Sequence, residues 1–455
     1  MKKTVRVGAG SAAWGDLFEP AVELCEKGDI EYIGFDHLSE LTMAILTRMR
    51  QRDTKRGYIP DMVELMRLCL PACRRRGIKV ITNGGGANLE AGAKEVLKVA
   101  EGLGLKDVKV GVITGDEVPL EQLDKLMAQG MKFPNRDTGA QDLKEIRDRI
   151  VAAHIYIGSE GIIEALKRGA NVVIAGRVSD NALYVGPIMY EFGWDFKDPY
   201  WNLINAAVTA GHIIECADCC CGGMSTQWRK TVDLWRVGFP ILEFQDNGEF
   251  AITKVPGSGG LINEWTIKEH LVYEVHDPRN YLMPDGIADF TTVKVVEAGK
   301  DRVKVTGCSG KPRPDTLKLC VAYEDGWIGE GIFVVPGPDA LEKARFCEKV
   351  IRERLKIANL QAERVRIDYM GINTVFGETA KWPKEDPMEV PIRIAAKTKT
   401  REEADKIRRE VTHMWTLGPV GMEVGVPNDP RRVINLWHTL IPRSEAPAIT
   451  VNILQ

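Results

Sequence analysis

Short apolar runs that end in glycine-rich or polar turns, each followed by an amphipathic helical stretch, recur through the first half of the chain. One run ends at Thr82, passes through the glycines at 84–86 and continues into a helical pattern over 89–103. Another run ends at Ala175, directly before a further glycine. Strand, turn and helix repeated in this order predict an α/β fold with a doubly wound, mostly parallel sheet and helices on both faces.

The pattern changes near residue 225, beyond which strand patterns dominate. A chain of 455 residues exceeds the roughly 250–300 residues that one core supports, so two domains are expected. We therefore predict an α/β domain over residues 1–225 and a second, α+β domain over 226–455. The end of the second domain has the elements of a ferredoxin-like unit. Predicted strands lie at 250–255, 288–296, 302–306, 316–323, 331–335, 365–369, 389–396 and 448–454, predicted helices at 340–355 and 402–416, and an exposed loop at 381–388.

Composition and charge exclude several classes of function. A net charge of -3 gives no electrostatic basis for binding nucleic acid or an acidic membrane. The amino terminus carries charged and glycine residues in place of an apolar signal segment, and no apolar run is long enough to span a bilayer. Ten cysteines in a chain of this length, without a secretion signal, are expected to be reduced thiols. These features predict a cytoplasmic protein.

A glycine-rich segment follows the first predicted strand. Gly8–Ala13 fits the dinucleotide fingerprint G-x-G-x-x-A, and Asp36 ends the next predicted strand, where a carboxylate can bind a ribose. However, Trp14 and Asp16 flank a further glycine, so the loop continues past the point where a dinucleotide-binding helix begins. A tight turn without a ligand is the alternative interpretation.

The loop after the predicted strand at 79–82 has the composition of an anion site. Gly84 and Gly85 allow backbone N–H groups to converge, and Asn83 and Asn88 supply amides that suit a carboxylate or carbonyl oxygen. Its place at the end of a strand is where open α/β sheets bind ligands. The alternative is that these glycines only allow close packing.

Two further segments place ionisable side chains after strands or on one helical face. Arg177 can clamp a carboxylate or phosphate, and Asp180 can orient it, hold a metal or act as a base. The pair could equally brace its own loop. His212 and Glu215 are three residues apart in a helical pattern, which suits an acid–base pair or a buried histidine satisfied by its neighbour. Cys216 adds a third potential metal ligand.

Cys216 and Cys219 form a C-x-x-C pattern, but the second pair of cysteines that a zinc knuckle requires is absent. A last glycine-rich loop, with Gly257, Gly259 and Gly260, follows the predicted strand at 250–255. It is another potential anion cradle, although loops of this composition are common turns.

In order along the chain, these segments resemble the acyclic terpene utilisation (AtuA) family. The family's Ala-Gly-His-x-x-Glu-Cys pattern, for example, corresponds to residues 210–216. The other matching segments are 8–10 with 14–16, Asp36-His37-Leu38-Ser39-Glu40-Leu41-Thr42-Met43, Thr82-Asn83-Gly84-Gly85-Gly86-Ala87-Asn88, Gly176-Arg177-Val178-Ser179-Asp180, 186–187, 191–194, 254–260 and 310–316. The chain departs from the family pattern after Cys216, where Asp218 and three more cysteines stand. Many relatives carry an additional small C-terminal domain, which could here be a separate small subunit.

The resemblance implies catabolism of branched carboxylic acids or their acyl-CoA thioesters, and we predict a lyase of the hydratase or dehydratase type. The alternatives are an NAD(P)-dependent oxidoreductase and a non-catalytic subunit that needs a small partner protein. A divalent metal ion is a candidate cofactor, and a homo-oligomer is expected. The predicted catalytic residues are Asp16, Asp180, His212 and Glu215. The predicted substrate-binding residues are Gly10, Trp14, Asn83, Gly84, Gly85, Asn88, Arg177, Gly257, Gly259 and Gly260.

Overall fold

The computed structural model describes residues 3–425 and 428–455, which form two compact units. Unit 1 contains the described residues up to Ala322 and those from Leu436 onward, and unit 2 contains the described residues from Tyr323 to Asn435. The prediction of an α/β fold with a second α+β part is confirmed. Among the described residues, no helix has the length and apolar character needed to cross a bilayer.

The strands and helices are numbered in chain order. The strands are β1 (Thr4–Ser11), β2 (Tyr32–Phe35), β3 (Lys79–Thr82), β4 (Val110–Thr114), β5 (Ile150–Ile155), β6 (Val172–Ala175), β7 (Pro240–Gln245), β8 (Phe250–Lys254), β9 (Tyr281–Met283), β10 (Gly286–Asp289), β11 (Lys294–Glu297), β12 (Arg302–Thr306), β13 (Ser309–Lys311), β14 (Thr316–Pro336), β15 (Ala362–Tyr369), β16 (Glu389–Thr398), β17 (Glu423–Val424), β18 (Arg431–Pro442) and β19 (Thr450–Leu454). The helices are α1 (Glu19–Lys27), α2 (Glu40–Arg52), α3 (Pro60–Arg76), α4 (Leu89–Gly102), α5 (Leu120–Ala128), α6 (Glu160–Lys167), α7 (Ala182–Phe192), α8 (Trp201–Ile214), α9 (Glu264–Leu271), α10 (Ala340–Ile357) and α11 (Arg401–Leu417).

Unit 1 is built on a ten-stranded sheet of order β11-β12-β8-β7-β1-β2-β3-β6-β4-β19. Its central strands β1, β2, β3, β6 and β4 are parallel. The flanking strands pair antiparallel. For β7 with β8 and β11 with β12, the short connection cannot make the crossover that parallel strands need. The predicted domain boundary at residue 225 therefore falls inside unit 1, since strands on both sides of it belong to one sheet.

The helices of unit 1 form two layers around the parallel strands. α1 packs against α3 and α3 against α4, whereas α6 packs against α7 and α7 against α8. The strand order proceeds from β1 to β3, passes over one position to β4 and then returns to β6. Because crossover connections are right-handed, this reversal sends the two groups of helices to opposite faces of the sheet. The chain therefore has a topological switch point between β3 and β6, the place where open α/β sheets bind ligands.

β1 is longer than the sequence predicts, and this corrects the placement of the first glycine-rich segment. Gly8 and Gly10 lie within β1 and not in the loop that follows it. A Cβ atom on Gly10 would stand 2.5 Å from the ring of Phe35 and 2.9 Å from Ile33 Cδ1. The missing side chain thus makes room for the apolar side chains of β2.

Unit 2 has the element order β14, α10, β15, β16, α11, β17, with β14 contributing its residues from Tyr323 onward. Its sheet has the order β15-β16-β14-β17 with antiparallel neighbours, which is the arrangement of a ferredoxin-like βαββαβ unit. The two strands predicted at 316–323 and 331–335 are one continuous strand, β14. The apolar faces of α10 and α11 cover this sheet, and the core residues include Phe333, Cys347, Ile351, Ile392 and Val411.

Candidate functional site

The carboxyl ends of the parallel strands in unit 1 bring most of the predicted functional segments to one edge of the sheet. The loops after β1, β2, β3 and β6 share this edge because the strands are parallel and in register. β8 has the same direction as β1, since both pair antiparallel with β7, so its glycine-rich loop ends on this edge too. These loops are far apart in the sequence, and only the pairing of the strands in the sheet brings them to the same edge.

Arg177 is buried beneath the switch point and is held from several sides. Its Nη1 donates to the carbonyl of Leu38 at 2.6 Å, and its Nη2 lies 2.7 Å from Asp180 Oδ1. The backbone N–H of Arg177 donates to Asp116 Oδ2 at 2.8 Å. The guanidinium carbon stands 4.0 Å from the centre of the Tyr156 ring, a cation–π contact. Both interpretations of the Arg177–Asp180 pair therefore agree with the structure. The pair braces its own loop, and one side of the Arg177 guanidinium is still available to a ligand.

Tyr156 links Arg177 to a second cation. Lys318 Nζ lies 4.6 Å from the centre of the same ring, and both Lys318 and the Tyr156 hydroxyl donate to Glu40 Oε1. Burial alone would raise the pKa of the Glu40 carboxyl, but Lys318 and Arg177 outweigh it and hold that pKa below its usual range. A small cavity of about 10 Å³, room for roughly one water molecule, lies among these side chains.

The side chain of Asn83 is engaged within the protein. Its Nδ2 donates to Asp36 Oδ1 at 2.7 Å, and its Oδ1 accepts from the backbone N–H of His37 at 2.9 Å. Burial, followed by the charge of Asp180, raises the pKa of Asp36. Asp36 therefore connects the ends of β2 and β3, and its carboxyl faces inward and not toward a position where it could bind a ribose.

His212 and Glu215 lie together at the end of α8, whose last residue is Ile214. His212 Nδ1 is 3.4 Å from Glu215 Oε1 and 3.0 Å from the hydroxyl oxygen of Tyr281. Burial lowers the pKa of His212 to about 4. Burial and the neighbouring charge of Asp180 raise the pKa of Glu215 well above its usual range. Burial therefore favours the uncharged form of both partners, the neutral imidazole of His212 and the protonated carboxyl group of Glu215.

Tyr184, in the first turn of α7, joins the same group. Its ring rests on Gly34 of β2, where a Cβ atom would stand 2.6 Å from ring carbon Cε1. Burial raises the pKa of the Tyr184 hydroxyl, and the charges of Asp36 and Glu215 raise it further. The hydroxyl is thus protonated, and the carboxyl groups that act on it stand just after β2, just before α7 and just after α8.

Several buried polar atoms in the segment 177–184 have no hydrogen-bond partner within the protein. They are Arg177 Nε, Ser179 Oγ, both amide atoms of Asn181 and the Tyr184 hydroxyl. Buried polar atoms in native proteins are almost always hydrogen-bonded to protein, water or ligand. A concentration of unpaired donors and acceptors in one short segment, beside an acid–base pair, indicates a place where a polar ligand binds.

Gly211 sets the distance between α8 and this segment. A Cβ atom on Gly211 would stand 2.9 Å from both Cβ and the carbonyl oxygen of Asn181. We expect Gly211→Ala to lower the free energy of unfolding by about 1–3 kcal/mol, because overpacking forces the two elements apart. Urea denaturation measures this change. Gly102→Ala, in α4 where nothing lies within 4 Å of the added Cβ atom, is the matched control and should change stability by no more than about 1 kcal/mol, in the stabilising direction. Equal effects of the two substitutions would contradict this interpretation of the contact.

Asp16 closes the loop after β1. Its carboxylate accepts from the backbone N–H of Ala12 at 2.6 Å and of Leu17 at 2.7 Å, and burial raises its pKa. Burial and the charge of Asp16 also raise the pKa of Asp218 to about 6. Trp14, on the same loop, is 37% exposed. Because Asp16 occupies the amides of its own loop, those amides are not directed at a phosphate.

The glycines of the loop after β3 are closely packed. A Cβ atom on Gly84 would stand 2.8 Å from Met62 Cβ, and one on Gly85 would stand 2.6 Å from Ile174 Cγ2. Asn88 donates from Nδ2 to two backbone carbonyls of the segment 54–56, at 2.8 and 2.7 Å. These contacts favour the interpretation that Gly84 and Gly85 only allow close packing. Asn88 Oδ1 takes no part in these contacts.

A cleft of about 450 Å³ lies over the end of β6, between the loops that follow β3 and β4. Asp116 and His154 lie in its wall, with His154 Nδ1 3.3 Å from Asp116 Oδ2. The sequence pattern gave no indication of His154, because it stands in β5, far along the chain from the strand ends. Residues that line the cleft include Arg50, Asn88, Asp116, Glu117, Gln122 and His154.

The glycines after β8 pack against the segment 232–237. Gly259 and Gly260 form isolated backbone bridges to Val237 and Val232. A Cβ atom on Gly259 would stand 2.1 Å from a backbone oxygen, whereas Gly257 has nothing within 4 Å. No predicted metal site can be assembled here or elsewhere in residues 3–425 and 428–455, where no three His, Cys, Asp or Glu side chains are grouped to hold an ion.

The family is decided by a comparison over nearly the whole chain. The model of the acyclic terpene utilisation family protein AtuA matches residues 5–452. The chain belongs to the AtuA family. No match was found among functionally curated proteins. Membership of this family implies involvement in acyclic terpene utilisation.

The structure of this AtuA-family protein brings Arg177, Asp180, His212 and Glu215 into one group. It places Asp16 and Trp14 on the loop after β1, and the glycines at 257–260 on the loop after β8. The sequence missed Tyr184 and Tyr281. A shared helical face with Asp180 could not have identified Tyr184, because α7 begins only at Ala182.

Proposed function

We propose that this AtuA-family protein is an enzyme that adds or removes water next to the carbonyl group of a branched acyl compound. The observation that carries the proposal is the pair His212 and Glu215, whose pKa values are displaced in opposite directions within 3.4 Å. Paired titratable groups that are held in different protonation states are typical of acid and base partners in catalysis. Membership of the family supports a branched carboxylic acid or its thioester as the substrate.

In dehydration, the neutral His212 accepts the proton from the carbon atom next to the carbonyl. The protonated carboxyl of Glu215 then gives its proton to the departing β-hydroxyl group, which leaves as water. The product is the α,β-unsaturated acyl compound, and hydration follows the same steps in reverse. Tyr281, which contacts His212 Nδ1 at 3.0 Å, holds the imidazole in one orientation.

The unpaired atoms of the segment 177–184 suit the carbonyl oxygen of the substrate. Arg177 Nε and Asn181 Nδ2 are donors without partners in the protein, and negative charge develops on that oxygen as the proton leaves. Asp180, whose side chain is 32% exposed, is the most accessible member of the group and stands where a ligand would approach.

The contacts of the glycine-rich segment after β1 do not favour the oxidoreductase alternative. Phe35 fills the space beside Gly10, and the Asp36 carboxyl is bonded to Asn83. The amide of Ala12 is bonded to Asp16. These three groups, which the dinucleotide fingerprint would use, therefore already have partners of another kind.

The experiment that tests the proposal is proton exchange in D₂O. The purified protein is incubated with branched 3-hydroxyacyl and 2-enoyl thioesters and the corresponding free acids, and products are analysed by mass spectrometry. We expect deuterium at the carbon next to the carbonyl and interconversion of the hydroxyacyl and enoyl forms. A protein that binds these compounds, as a rise in melting temperature would show, but exchanges no proton would contradict the proposal. A thermal shift with NAD(P) alone would favour the oxidoreductase, and exchange only after addition of a copurified small subunit would favour the non-catalytic alternative.

A further inference from the structure

A pair of accessible thiols stands directly beyond the acid–base pair. Cys216 and Cys219 are both half-buried and free, and they belong to the segment that follows α8. The neighbouring Cys220 and Cys221 are buried, as are most of the other cysteines. Among the described residues of this cluster, only Cys216 and Cys219 are therefore both close to the acid–base pair and accessible to solvent.

The backbone holds the two cysteines at the distance of a disulfide. The N–H of Cys219 donates to the carbonyl of Cys216 at 3.0 Å, which closes a four-residue turn. The Cα atoms at the ends of such a turn lie within about 7 Å, and disulfides join Cα atoms that are roughly 4.4–6.8 Å apart. The Cys219 thiol lies 3.5 Å from Met224 Sδ, a soft contact that leaves it free to turn toward Cys216. A bond between the two cysteines thus needs little movement of the backbone.

Ala217, between the two cysteines, has a φ of 40°, in the left-handed region that residues with a side chain seldom adopt. Strained residues of this kind are concentrated at functional sites and switch segments. The turn after α8 therefore has a strained backbone conformation, which distinguishes it from an ordinary helix end.

We propose that Cys216 and Cys219 form a reversible disulfide, and that this bond is a redox switch on the site that precedes it. Glu215 is joined directly to Cys216 in the chain, so a bond that fixes Cys216 also restricts the end of α8. Cys216 lies near enough to Tyr184 and Tyr281 that a thiolate there would raise the pKa of both hydroxyls, so the thiol belongs among the polar groups of the site. The role as a switch rests on the function proposed above, whereas the formation of the bond does not.

The oxidant is a small disulfide such as glutathione disulfide. The thiolate of Cys219 attacks one of its sulfur atoms, forms a mixed disulfide and releases one glutathione thiol. Cys216, after losing its proton, attacks the sulfur of Cys219 and releases the second glutathione thiol. Two protein thiols are oxidised to one disulfide, and one glutathione disulfide is reduced to two thiols. The nearby Cys219 thiol and burial raise the pKa of Cys216, which disfavours Cys216 as the first attacking thiol, so we assign that step to Cys219.

The test measures the bond without measuring turnover. The folded, full-length protein is equilibrated with glutathione buffers from fully reducing to oxidising, thiols are blocked with an alkylating agent, and peptides are identified by mass spectrometry. We expect a bond between Cys216 and Cys219 whose population rises with the ratio of glutathione disulfide to the square of the thiol concentration. Reduction should restore both free thiols.

Two substitutions test whether Cys216 and Cys219 form the disulfide, and a third substitution is the control. Cys219→Ser should abolish the bond, and Cys216→Ser should leave Cys219 with a glutathione adduct that is not resolved. Cys308→Ser, at a half-buried thiol on another segment, should leave the bond unchanged. A persistent adduct on Cys219 in the unsubstituted protein, a bond between adjacent cysteines, or a zinc ion held by both thiols would overturn the proposal. If the bond forms and proton exchange is absent in both redox states, the proposed function fails and the disulfide remains.

Discussion

Glu215→Gln is expected to lower kcat by about 10²–10⁴-fold, the range of a general acid or base, while the protein stays folded. Glutamine keeps the size of the side chain and a hydrogen-bonding oxygen, but it cannot give a proton to a departing hydroxyl group. Turnover of the best thioester found by proton exchange measures the loss. His212→Gln should produce a loss of similar size, and the double variant should lose little more than either single variant, because the two residues act as a unit.

The pH dependence separates catalysis from a structural role. The base must be neutral, so activity requires a pH above about 4, the pKa to which burial lowers His212. The acid must be protonated, so activity is lost as pH rises through the raised pKa of Glu215. Glu215→Gln should remove this upper limb from the residual activity. Glu264→Gln, at an exposed carboxylate of α9, is the control and should leave both kcat and the pH profile unchanged. An unaltered kcat in Glu215→Gln would contradict the assignment of the acid.

The second large effect concerns His37, a buried ring that stacks on Phe35 of β2. Burial lowers the pKa of His37 to about 4. In the unfolded chain the pKa of histidine is about 6.5, so the unfolded state binds the proton more readily between these two values. The protein should therefore lose stability as pH falls from about 6.5 to about 4, by about 3 kcal/mol from this residue alone.

The variant His37→Phe isolates that contribution. Urea denaturation of both proteins at several pH values between 7.5 and 4 gives the difference in their free energies of unfolding. We expect this difference to shift by about 3 kcal/mol in favour of the variant as pH falls, because phenylalanine binds no proton. His276→Phe, at an exposed histidine, should give a difference that hardly depends on pH. A constant difference for His37→Phe would mean that its ring is protonated alike in both states.

The elements that depend on local sequence were predictable, and the pairing of distant strands was not. β3 is found at the predicted residues 79–82, since a short apolar run between turns is a local signal. The pairing of β1 with β7, which lies more than 200 residues further along, gives no local signal. For this reason the change of pattern near residue 225 resembles a domain boundary in the sequence, although one sheet continues through it.

The site was predictable to the extent that its residue types follow strand ends or share a helical face. Arg177 and His212 are of this kind. Asn83 is different, because its partner Asp36 is 47 residues away and only the folded sheet brings the two together. Gly10 shows the same limit, since whether a glycine serves a phosphate or a neighbouring ring depends on Phe35, whose position the sequence does not give.

The ten-stranded sheet is completed by a strand from the end of the chain. β19 covers the outer edge of β4, while the residues of unit 2 stand between it and the rest of unit 1 in the sequence. During synthesis the ribosome therefore delivers all of unit 2 before the segment Thr450–Leu454 emerges. Until then β4 presents an unpaired edge, the kind of surface on which nascent chains aggregate. Translation therefore includes an interval, between the emergence of β4 and that of β19, in which this edge is exposed, and faster translation of the intervening segment would shorten it.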